Sequence, residues 1–232
     1  VLEALEDDAA LRGEPLQFMS LTEENRTALK GYTPDRFSFF RDRAGYDYIY
    51  LTSKLADLPG KHLHAKRNHI NRFLEENDNW QFELLTRENL GDCLKLDEAW
   101  SLESGEQRKT AAKMEVSALM RALEQFQTLK LEGGILRSGG RPVAFTIGEK
   151  LNSDTYDVHF EKALKSVTGA YAMINREFAR FVREHHSQLQ YMNREDDLGL
   201  PGLRQAKLSY APDLMLAKYS AVLQPARVCR HD

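Results

Sequence analysis

The segment from Asn193 to Tyr210, read as NREDDLGLPGLRQAKLSY, concentrates side chains that can bind charge or move a proton. Its carboxylates, Glu195, Asp196 and Asp197, follow a short strand-like run that ends at Asn193. Open α/β sheets place ligands where a strand ends and a helix begins. The segment therefore predicts a functional site at this strand end.

The helix predicted over 200–209 carries two cations. Arg204 and Lys207 lie about 60° apart on it, and Lys207 shares a mostly apolar face with Tyr210. The concentration of polar groups in this segment makes Asn193, the carboxylates, both cations and Tyr210 the candidate catalytic set. Alternatively, Asp196 or Asp197 pairs with one of these cations and only locks the helix.

A strand predicted over 154–160 supplies a second pair of candidates. Its alternation places Asp157 and His159 on one face and Val158 on the other. His159 is then either a base oriented by Asp157 or one member of an exposed pair. The sequence leaves both interpretations open.

The turn Ser166-Val167-Thr168-Gly169-Ala170-Tyr171 leads into a helix predicted over 169–186. Free backbone N–H groups at a helix start favour a pyrophosphate or carboxylate. The alternative is an ordinary helix start capped by Ser or Thr. Gly169, Tyr171, Asp157 and His159 are therefore candidate ligand-binding residues.

The stretch from Lys61 to Phe73, KHLHAKRNHINRF, is the dense basic region of the chain and is predicted to lie in a helix over 58–77. Such a helix could bind phosphates of RNA, of a nucleotide or of an anionic lipid head group at a membrane surface. The alternative is a solvated face on a connecting helix. The candidate phosphate-binding or tRNA-binding residues are Lys61, His64, Lys66, Arg67, Asn68, Asn71 and Arg72.

A metal site is not expected in this basic stretch. His62, His64 and His69 lack the i, i+4 spacing of a helical metal pair, and no acidic cluster accompanies them. The prediction is that the protein binds no metal.

The composition indicates an ordinary globular protein. The chain has 232 residues, a formal net charge of -3 and 42% hydrophobic residues, which argues against a wholly basic nucleic-acid-binding surface. No apolar run is long enough to span a bilayer, and Cys93 and Cys229 do not suggest a disulfide framework. We expect a cytoplasmic protein, and the start at Val1 within a helical pattern suggests that an N-terminal piece is missing.

The predicted elements alternate irregularly. A helix over 2–11 leads to strand-like runs over 16–21, 37–39 and 46–51, with a helix capped by Thr22 between the first two. Beyond the basic helix the predicted strands are 80–85, 131–138, 141–151, 154–160, 189–193 and 213–222, and the predicted helices are 87–102, 106–128, 169–186 and 200–209. This order favours a mixed α/β (α+β) sheet over a doubly wound one.

The chain resembles bacterial proteins similar to the phosphatidylglycerol lysyltransferase C-terminal domain. The resemblance rests on four blocks in the same order, namely KHLHAKRNHINRF, the strand pair around GRPVAF, GAYAMINREF and NREDDLGLPGLRQAKLSYAP. It implies a tandem GNAT-like (acyl-CoA N-acyltransferase-like) fold with an incomplete N-terminal unit. The implied domains are a remnant of the first unit over 1–56, a basic connecting helix over 57–78, a second unit over 79–223 and a tail over 224–232.

The resemblance also implies an activity. Relatives transfer an aminoacyl group from a charged tRNA to an amine or hydroxyl without a covalent enzyme intermediate. The resemblance implies that the gap after the strand with Asp157 accepts the donor, with Gly169 at its phosphates, and that His159 and Tyr171 also bind the donor. It further implies that Lys207 or Arg204 stabilises the oxyanion. The proton would be accepted by Glu195, Asp196 or Asp197. We therefore expect an acyl- or aminoacyltransferase that uses aminoacyl-tRNA or acyl-CoA as donor substrate and needs no other cofactor, with acceptor and oligomeric state not indicated.

The chain also departs from the lipid lysyltransferases. It lacks their transmembrane half, and its Glu195-Asp196-Asp197 run differs from their glycine-rich motif, so lysine and phosphatidylglycerol are not implied as substrates. The alternative function is a non-catalytic module that binds RNA or an anionic head group through the basic helix. A third is a small-molecule N-acetyltransferase in which that helix is only a connector.

Overall fold

The computed structural model describes residues 1–103 and 110–224, and only the backbone of residues 110–113. The helices are α1 (Leu2–Arg12), α2 (Glu23–Tyr32), α3 (Thr52–Asp57), α4 (His64–Glu76), α5 (Leu90–Glu103), α6 (Thr110–Glu124), α7 (Ala170–His185) and α8 (Pro201–Leu208). The strands are β1 (Gln17–Leu21), β2 (Phe37–Arg41), β3 (Asp47–Leu51), β4 (Trp80–Leu84), β5 (Glu132–Ser138), β6 (Arg141–Lys150), β7 (Thr155–Ala163), β8 (Tyr191–Asn193), β9 (Leu214–Leu216) and β10 (Tyr219–Leu223). Of the predicted helix over 106–128, residues 106–109 lie outside the described residues.

The chain forms two compact units. The large unit comprises Ile49–Glu195 and Ala206–Asp213, and the small unit comprises Val1–Tyr48, Asp196–Gln205 and the residues from Leu214 onward. The chain therefore passes between the units several times. Each unit contains several segments of the chain, whereas the domains expected from the sequence are contiguous. That division into domains stays a prediction. Of the predicted tail over 224–232, residues 225–232 lie outside the described residues.

The small unit contains an antiparallel sheet of order β1-β10-β2. Strand β10 pairs with β2 from Tyr219 opposite Arg41 to Leu223 opposite Phe37. The single strand predicted over 213–222 is therefore wrong, because β9 ends at Leu216 and β10 begins at Tyr219. The predicted cap of α2 is confirmed, since the Thr22 hydroxyl accepts a hydrogen bond of 3.2 Å from the Asn25 backbone N–H.

In the large unit the neighbouring strands follow the order β4-β5-β6-β7-β8-β3. Strands β4 to β7 are antiparallel, whereas β7 and β8 run parallel, so the predicted mixed sheet is confirmed. Helix α7 buries an apolar face that includes Ile174, Phe178 and Val182, and Phe178 meets the ring of Tyr156 edge to face at 5.5 Å. This packing holds α7 beside the strands whose side chains form the candidate site.

The helix predicted over 58–77 is wrong in its first part. Helix α3 ends at Asp57, Leu58 is left-handed at φ 49°, and α4 begins only at His64. The reason is Pro59-Gly60, because a residue before proline is pushed out of the helical region and Gly60 adopts φ 77°. Lys61 and His62 therefore precede the helix rather than lie on its face.

Within the described residues, no helix combines the length and the apolar character needed to cross a membrane.

Candidate functional site

Strands β7 and β8 are neighbours in the middle of the sheet of the large unit, and they pair over a short length. They pair only from Thr155 opposite Tyr191 to Asp157 opposite Asn193. Strand β7 then continues to Ala163, whereas β8 ends at Asn193. The pairing between β7 and β8 thus ends directly after Asp157, and we call this point the strand opening.

His159 lies just beyond the point of separation and contacts two carboxylates. Its Nδ1 is 2.9 Å from Oε1 of Glu195, and its Nε2 is 3.0 Å from Oε1 of Glu149 on β6. The imidazole side chain is 27% exposed, compared with 43% for Glu195. These three residues, with Asp157, form a cluster that we call the His159 cluster.

The carboxylates keep His159 charged. The hydrogen bond to Glu195 raises the pKa of His159 to about 9 against the opposing effect of burial, and Glu149 contributes in the same direction. At neutral pH the imidazolium can thus donate to both neighbours. This arrangement can pass a proton between a bound group and a carboxylate.

Asn193 and the backbone position Glu195. The amide oxygen of Asn193 accepts a hydrogen bond of 2.9 Å from the Glu195 N–H, and Glu195 adopts φ 53°. A left-handed conformation costs a non-glycine residue about 1 kcal/mol, and such costs are found where the surrounding structure enforces them. Asn193 is 3% exposed, so it acts as a buried support for Glu195.

The His159 cluster is also the group whose ligand atoms could hold a metal. Atoms of Asp157, His159 and Glu195 lie within 4.8 Å of one another. However, a protonated imidazole is not a metal ligand, and His159 would have to lose its proton to bind an ion. A metal ion and this proton would therefore compete for the cluster.

A largely buried ion pair joins Glu161 on β7 to Arg194, the residue that follows β8. Nη2 of Arg194 donates to Oε1 of Glu161 at 2.6 Å, and Nδ2 of Asn175 on α7 donates to the other carboxylate oxygen at 3.1 Å. The guanidinium also lies over the Tyr210 ring at 4.9 Å. Burial alone would lower the pKa of Arg194, but Glu161 outweighs it and raises the pKa above its ordinary value.

Lys207 and Lys66 bring two ammonium groups to this region of the large unit. Lys207 is 8% exposed and donates from Nζ to the backbone carbonyl of Arg194. Lys66 lies with its Nζ 4.1 Å from the centroid of the Tyr210 ring. Burial, assisted by the charge of Arg194, lowers the pKa of Lys66 to about 8. Lys66 thus faces Tyr210, not a solvated basic surface.

Asp197 belongs to the small unit, and both of its carboxylate oxygens accept hydrogen bonds from residues of that unit. Arg204 contacts both carboxylate oxygens, with Nε at 2.8 Å from Oδ2 and Nη2 at 2.9 Å from Oδ1. The Tyr48 hydroxyl donates at 2.5 Å, and Arg43 contributes at 3.3 Å. Arg204 first, then Tyr48 and the Gly199 N–H, hold the pKa of Asp197 far below its usual range against burial.

These contacts correct part of the catalytic set expected from the sequence. Asp197 does not suit a proton acceptor, because its conjugate acid is too strong and both oxygens are occupied. Arg204 is bound bidentately to Asp197, so the helix-locking alternative describes this pair. Asp196 accepts a hydrogen bond of 3.1 Å from the Leu198 N–H and caps the turn between β8 and α8.

Gly169 begins α7 in a conformation that suits glycine. Its φ is 79°, and a Cβ at this position would lie 2.0 Å from the His69 carbonyl oxygen of α4. No side chain caps this helix start, so the expected Ser or Thr cap is absent. Tyr171 accepts a hydrogen bond of 3.0 Å from Trp100 Nε1. The helix start thus keeps backbone N–H groups free of side-chain partners.

The basic stretch divides in the structure. His64, Arg67, Asn68 and Asn71 line a groove beside α7, whereas Arg72 is an exposed residue 3.8 Å from Glu76. Of the candidate phosphate-binding residues, Lys61 thus precedes α4 and Arg72 lies outside the groove lining.

Several residues of the site were not singled out from the sequence. Glu149 on β6 and Glu161 on β7 complete the two clusters, and Asn175 reaches Glu161 from α7. The alternation of side chains along β7 could have indicated Glu161, because Glu161 lies on the same face of the strand as Asp157 and His159. Glu149 gives no such signal, since its position depends on an irregular register between Ile147 and Gly148.

Known proteins resemble the chain in sequence over different lengths. An uncharacterized protein of Mycoplasmoides gallisepticum is 25% identical over 174 residues, which cover 75% of this chain and 54% of that protein. The chain thus spans about half the length of this curated relative. A solved conserved protein of unknown function from Bacteroides thetaiotaomicron is 44% identical, with a TM-score of 0.87, over 96% of this chain and 74% of that one.

More distant solved structures show the fold. L-PGS from Bacillus licheniformis has a TM-score of 0.69 at 16% identity, over 98% of this chain and 73% of that chain. A tandem GNAT protein from the clavulanic acid biosynthesis pathway has a TM-score of 0.52 at 10% identity, over 95% and 68% of the two chains. The predicted GNAT-like fold is therefore confirmed.

The family itself follows from a match along nearly the whole sequence. The family described as "Phosphatidylglycerol lysyltransferase, C-terminal" matches residues 1–222. The resemblance inferred from the four sequence blocks is thereby confirmed. The chain belongs to the phosphatidylglycerol lysyltransferase C-terminal family.

Proposed function

We propose that the protein is an acyl- or aminoacyltransferase that moves its group from acyl-CoA or aminoacyl-tRNA to an amine or hydroxyl acceptor. The observation that supports this proposal most is the strand opening, where the pairing of β7 and β8 ends at Asp157 and Asn193 beside the His159 cluster. A donor carbonyl bound at this point would lie near groups that can transfer a proton. The GNAT-like fold of the chain agrees with this use.

In the proposed reaction the acceptor nitrogen or oxygen attacks the donor carbonyl carbon. Its proton passes to Glu195, which is half-exposed and held by Asn193. The bond from the carbonyl carbon to the thiol sulfur or ribose oxygen then breaks. The leaving group takes a proton from the His159 imidazolium, whose pKa near 9 suits a thiolate or alkoxide acceptor. No covalent enzyme intermediate and no further cofactor are required.

Lys207 is proposed to stabilise the tetrahedral oxyanion. Its ammonium group is buried and fixed to the Arg194 carbonyl at the end of β8. A preorganised cation in a site with little water stabilises developing negative charge more than a mobile surface lysine does. Tyr210 is proposed to support this region through its contact with the Arg194 guanidinium.

The start of α7 is proposed to bind the phosphates of the donor. Gly169 brings the chain close to α4, and the first N–H groups of α7 have no side-chain cap. A helix N-terminus of this kind attracts phosphate through its N–H groups and its dipole. Tyr171, one residue beyond Ala170, is proposed to flank the donor.

Replacement of Lys207 tests the chemistry. We expect Lys207→Met to lower the transfer rate by about a hundredfold or more, because one oxyanion donor is worth this much in related chemistry. The consumption of acetyl-CoA and of aminoacyl-tRNA is measured by mass spectrometry in separate reactions. The thermal shift with each of these donors shows which one binds. A folded Lys207→Met protein that transfers at the normal rate would remove this lysine from the mechanism.

The second candidate is a binding module that recognises RNA or an anionic head group without transfer. The basic lining contributed by α4 favours it, since Arg67 and Asn68 lie together there. This function would be favoured over transfer if charged tRNA binds in a salt-sensitive way and its aminoacyl ester stays intact in the presence of every acceptor tested.

A further inference from the structure

A groove of about 310 Å³ runs along α4 and α7 in the large unit, and its lining is dominated by cationic and amide side chains. From α4 it receives His64, Arg67, Asn68 and Asn71, and from α7 it receives Arg176 and Arg180. Its volume is at the lower end of the range of small-molecule sites, roughly 300 to 1,000 Å³. The helices that form it are long and well packed, so its shape is a property of the fold.

The positive charges in this groove are only partly neutralised. Arg67 donates to the backbone carbonyls of Leu58 and Gly60, which fixes the guanidinium without cancelling its charge. Arg176 and Arg180 share one carboxylate oxygen of Glu177, at 2.8 Å and 3.1 Å. One carboxylate thus serves two guanidinium groups.

Burial makes this excess charge costly in the absence of an anion. The Arg176 side chain is 15% exposed, and its burial lowers the pKa of the guanidinium despite the proximity of Glu177. The acid that lines the groove, Asp57, is paired with Arg183 at 2.6 Å. A bound anion would lower the energy of this arrangement.

The groove differs from the strand opening. Asn175 points to Glu161 of β7, whereas Arg176, the next residue of α7, lines the groove. Consecutive helical residues point about 100° apart, so the two sites use different faces of α7.

We propose that this groove binds the phosphate group of a soluble phosphorylated ligand through Arg67, Arg176 and Arg180, with the amides of Asn68 and Asn71 as neutral donors. Planar guanidinium groups match phosphate oxygens bidentately, and several of them converge here from two helices. The lining is mainly polar, which suits a sugar phosphate or nucleotide better than the acyl chains of a lipid. The groove is a second ligand site, and its occupation does not depend on the proposed transfer.

Calorimetric titration of the full chain with inorganic phosphate and with adenosine 5′-monophosphate tests this site. We expect saturable binding of both probes, and Arg180→Gln should weaken it about tenfold or more because a charge-assisted contact is lost. Arg72→Gln is the matched control, because Arg72 lies on α4, carries the same charge and is absent from the groove lining. This control should change the affinity less than about twofold, as a solvent-exposed charge outside the site is screened by salt.

Other outcomes would overturn the proposal. If Arg72→Gln and Arg180→Gln weaken the affinity for the probes equally, the probes are attracted diffusely to a basic surface. If neither probe binds at concentrations on the order of 10 mM, the groove is not a phosphate site. Binding only to vesicles of phosphatidylglycerol and phosphatidylcholine would assign the surface to a membrane. If Arg180→Gln fails to fold by circular dichroism, Asn71→Asp provides the test, because a carboxylate in the groove should repel phosphate by a similar factor.

Discussion

Glu195 and Asp197 are two residues apart in the sequence, yet their surroundings give them opposite chemistry. The Glu195 side chain is 43% exposed and contacts the imidazole of His159 in the large unit. The Asp197 side chain is 0% exposed and is bound by Arg204, Arg43 and Tyr48 in the small unit. Accessibility and the chemistry of the partners, rather than the carboxylate itself, therefore decide which residue can exchange a proton.

The two regions also differ in how tightly their charges are fixed. Asp197 receives a bidentate guanidinium, which holds both of its oxygens in one geometry. In the His159 cluster a single imidazolium lies between Glu195 and Glu149, so a proton can move without breaking the backbone contacts around it. The first arrangement stabilises a fold, and the second can take part in a reaction.

Replacement of Asp197 should have the largest effect on stability. Asp197→Asn removes a buried charge and leaves Arg204 and Arg43 without it, which should cost roughly 3 kcal/mol in the free energy of unfolding. Because the folded pKa of Asp197 is depressed, its contribution is present above the unfolded pKa of about 3.8 and is lost as the pH falls below it. Urea unfolding at pH 7 and pH 3 measures both effects. A variant as stable as the natural chain at pH 7 would contradict the structural role of this pair.

His159 should give the opposite pH dependence. Its folded pKa, raised to about 9, lies above an unfolded value of about 6.5, so its stabilisation is complete below pH 6.5 and disappears as the pH rises through 9. Because its carboxylate partners are partly exposed, we expect a loss of roughly 2 kcal/mol between pH 6 and pH 10. Urea unfolding across this range measures it, with His159→Gln as the control that should remove the slope. An unchanged slope in that variant would assign the loss to another group.

Glu195→Gln should have the smallest thermodynamic effect and the clearest signature. Glu195 is the main cause of the raised pKa of His159, so the amide should lower this pKa by about one unit or more. By linkage, the free energy of unfolding at neutral pH should fall by about 1 kcal/mol. Titration of the imidazole by NMR measures the change. Glu149→Gln should produce a smaller shift, and the reverse order would show that Glu149 controls the imidazolium.

The sequence predicted the elements and the family better than the partners of each side chain. Gly139 and Gly140 separate the strands predicted over 131–138 and 141–151, and both adopt the positive φ that the hairpin turn between β5 and β6 requires. Apolar periodicity likewise indicated α7, which runs from Ala170 to His185. These signals are local, so a single sequence contains them.

The composition of the site depended on contacts that are distant in the sequence. Tyr48 meets Asp197 across a separation of 149 residues, and no local pattern relates them. Glu195 and Asp197 are indistinguishable as carboxylates in the sequence, and only their burial and partners separate them. The helix predicted over 58–77 was wrong at its start for a local reason, because Pro59-Gly60 interrupts the helical conformation before Lys61.

The rate of transfer per folded molecule, measured side by side for Glu195→Gln and Asp197→Asn with the preferred donor, tests the central claim most directly. A missing general base typically lowers a rate by about 100-fold to 10,000-fold, whereas loss of a structural ion pair acts on the folded fraction. We predict a loss of at least about a hundredfold for Glu195→Gln and, after correction for the folded fraction, less than about fivefold for Asp197→Asn. Full activity in Glu195→Gln together with a severe loss in folded Asp197→Asn would contradict the account.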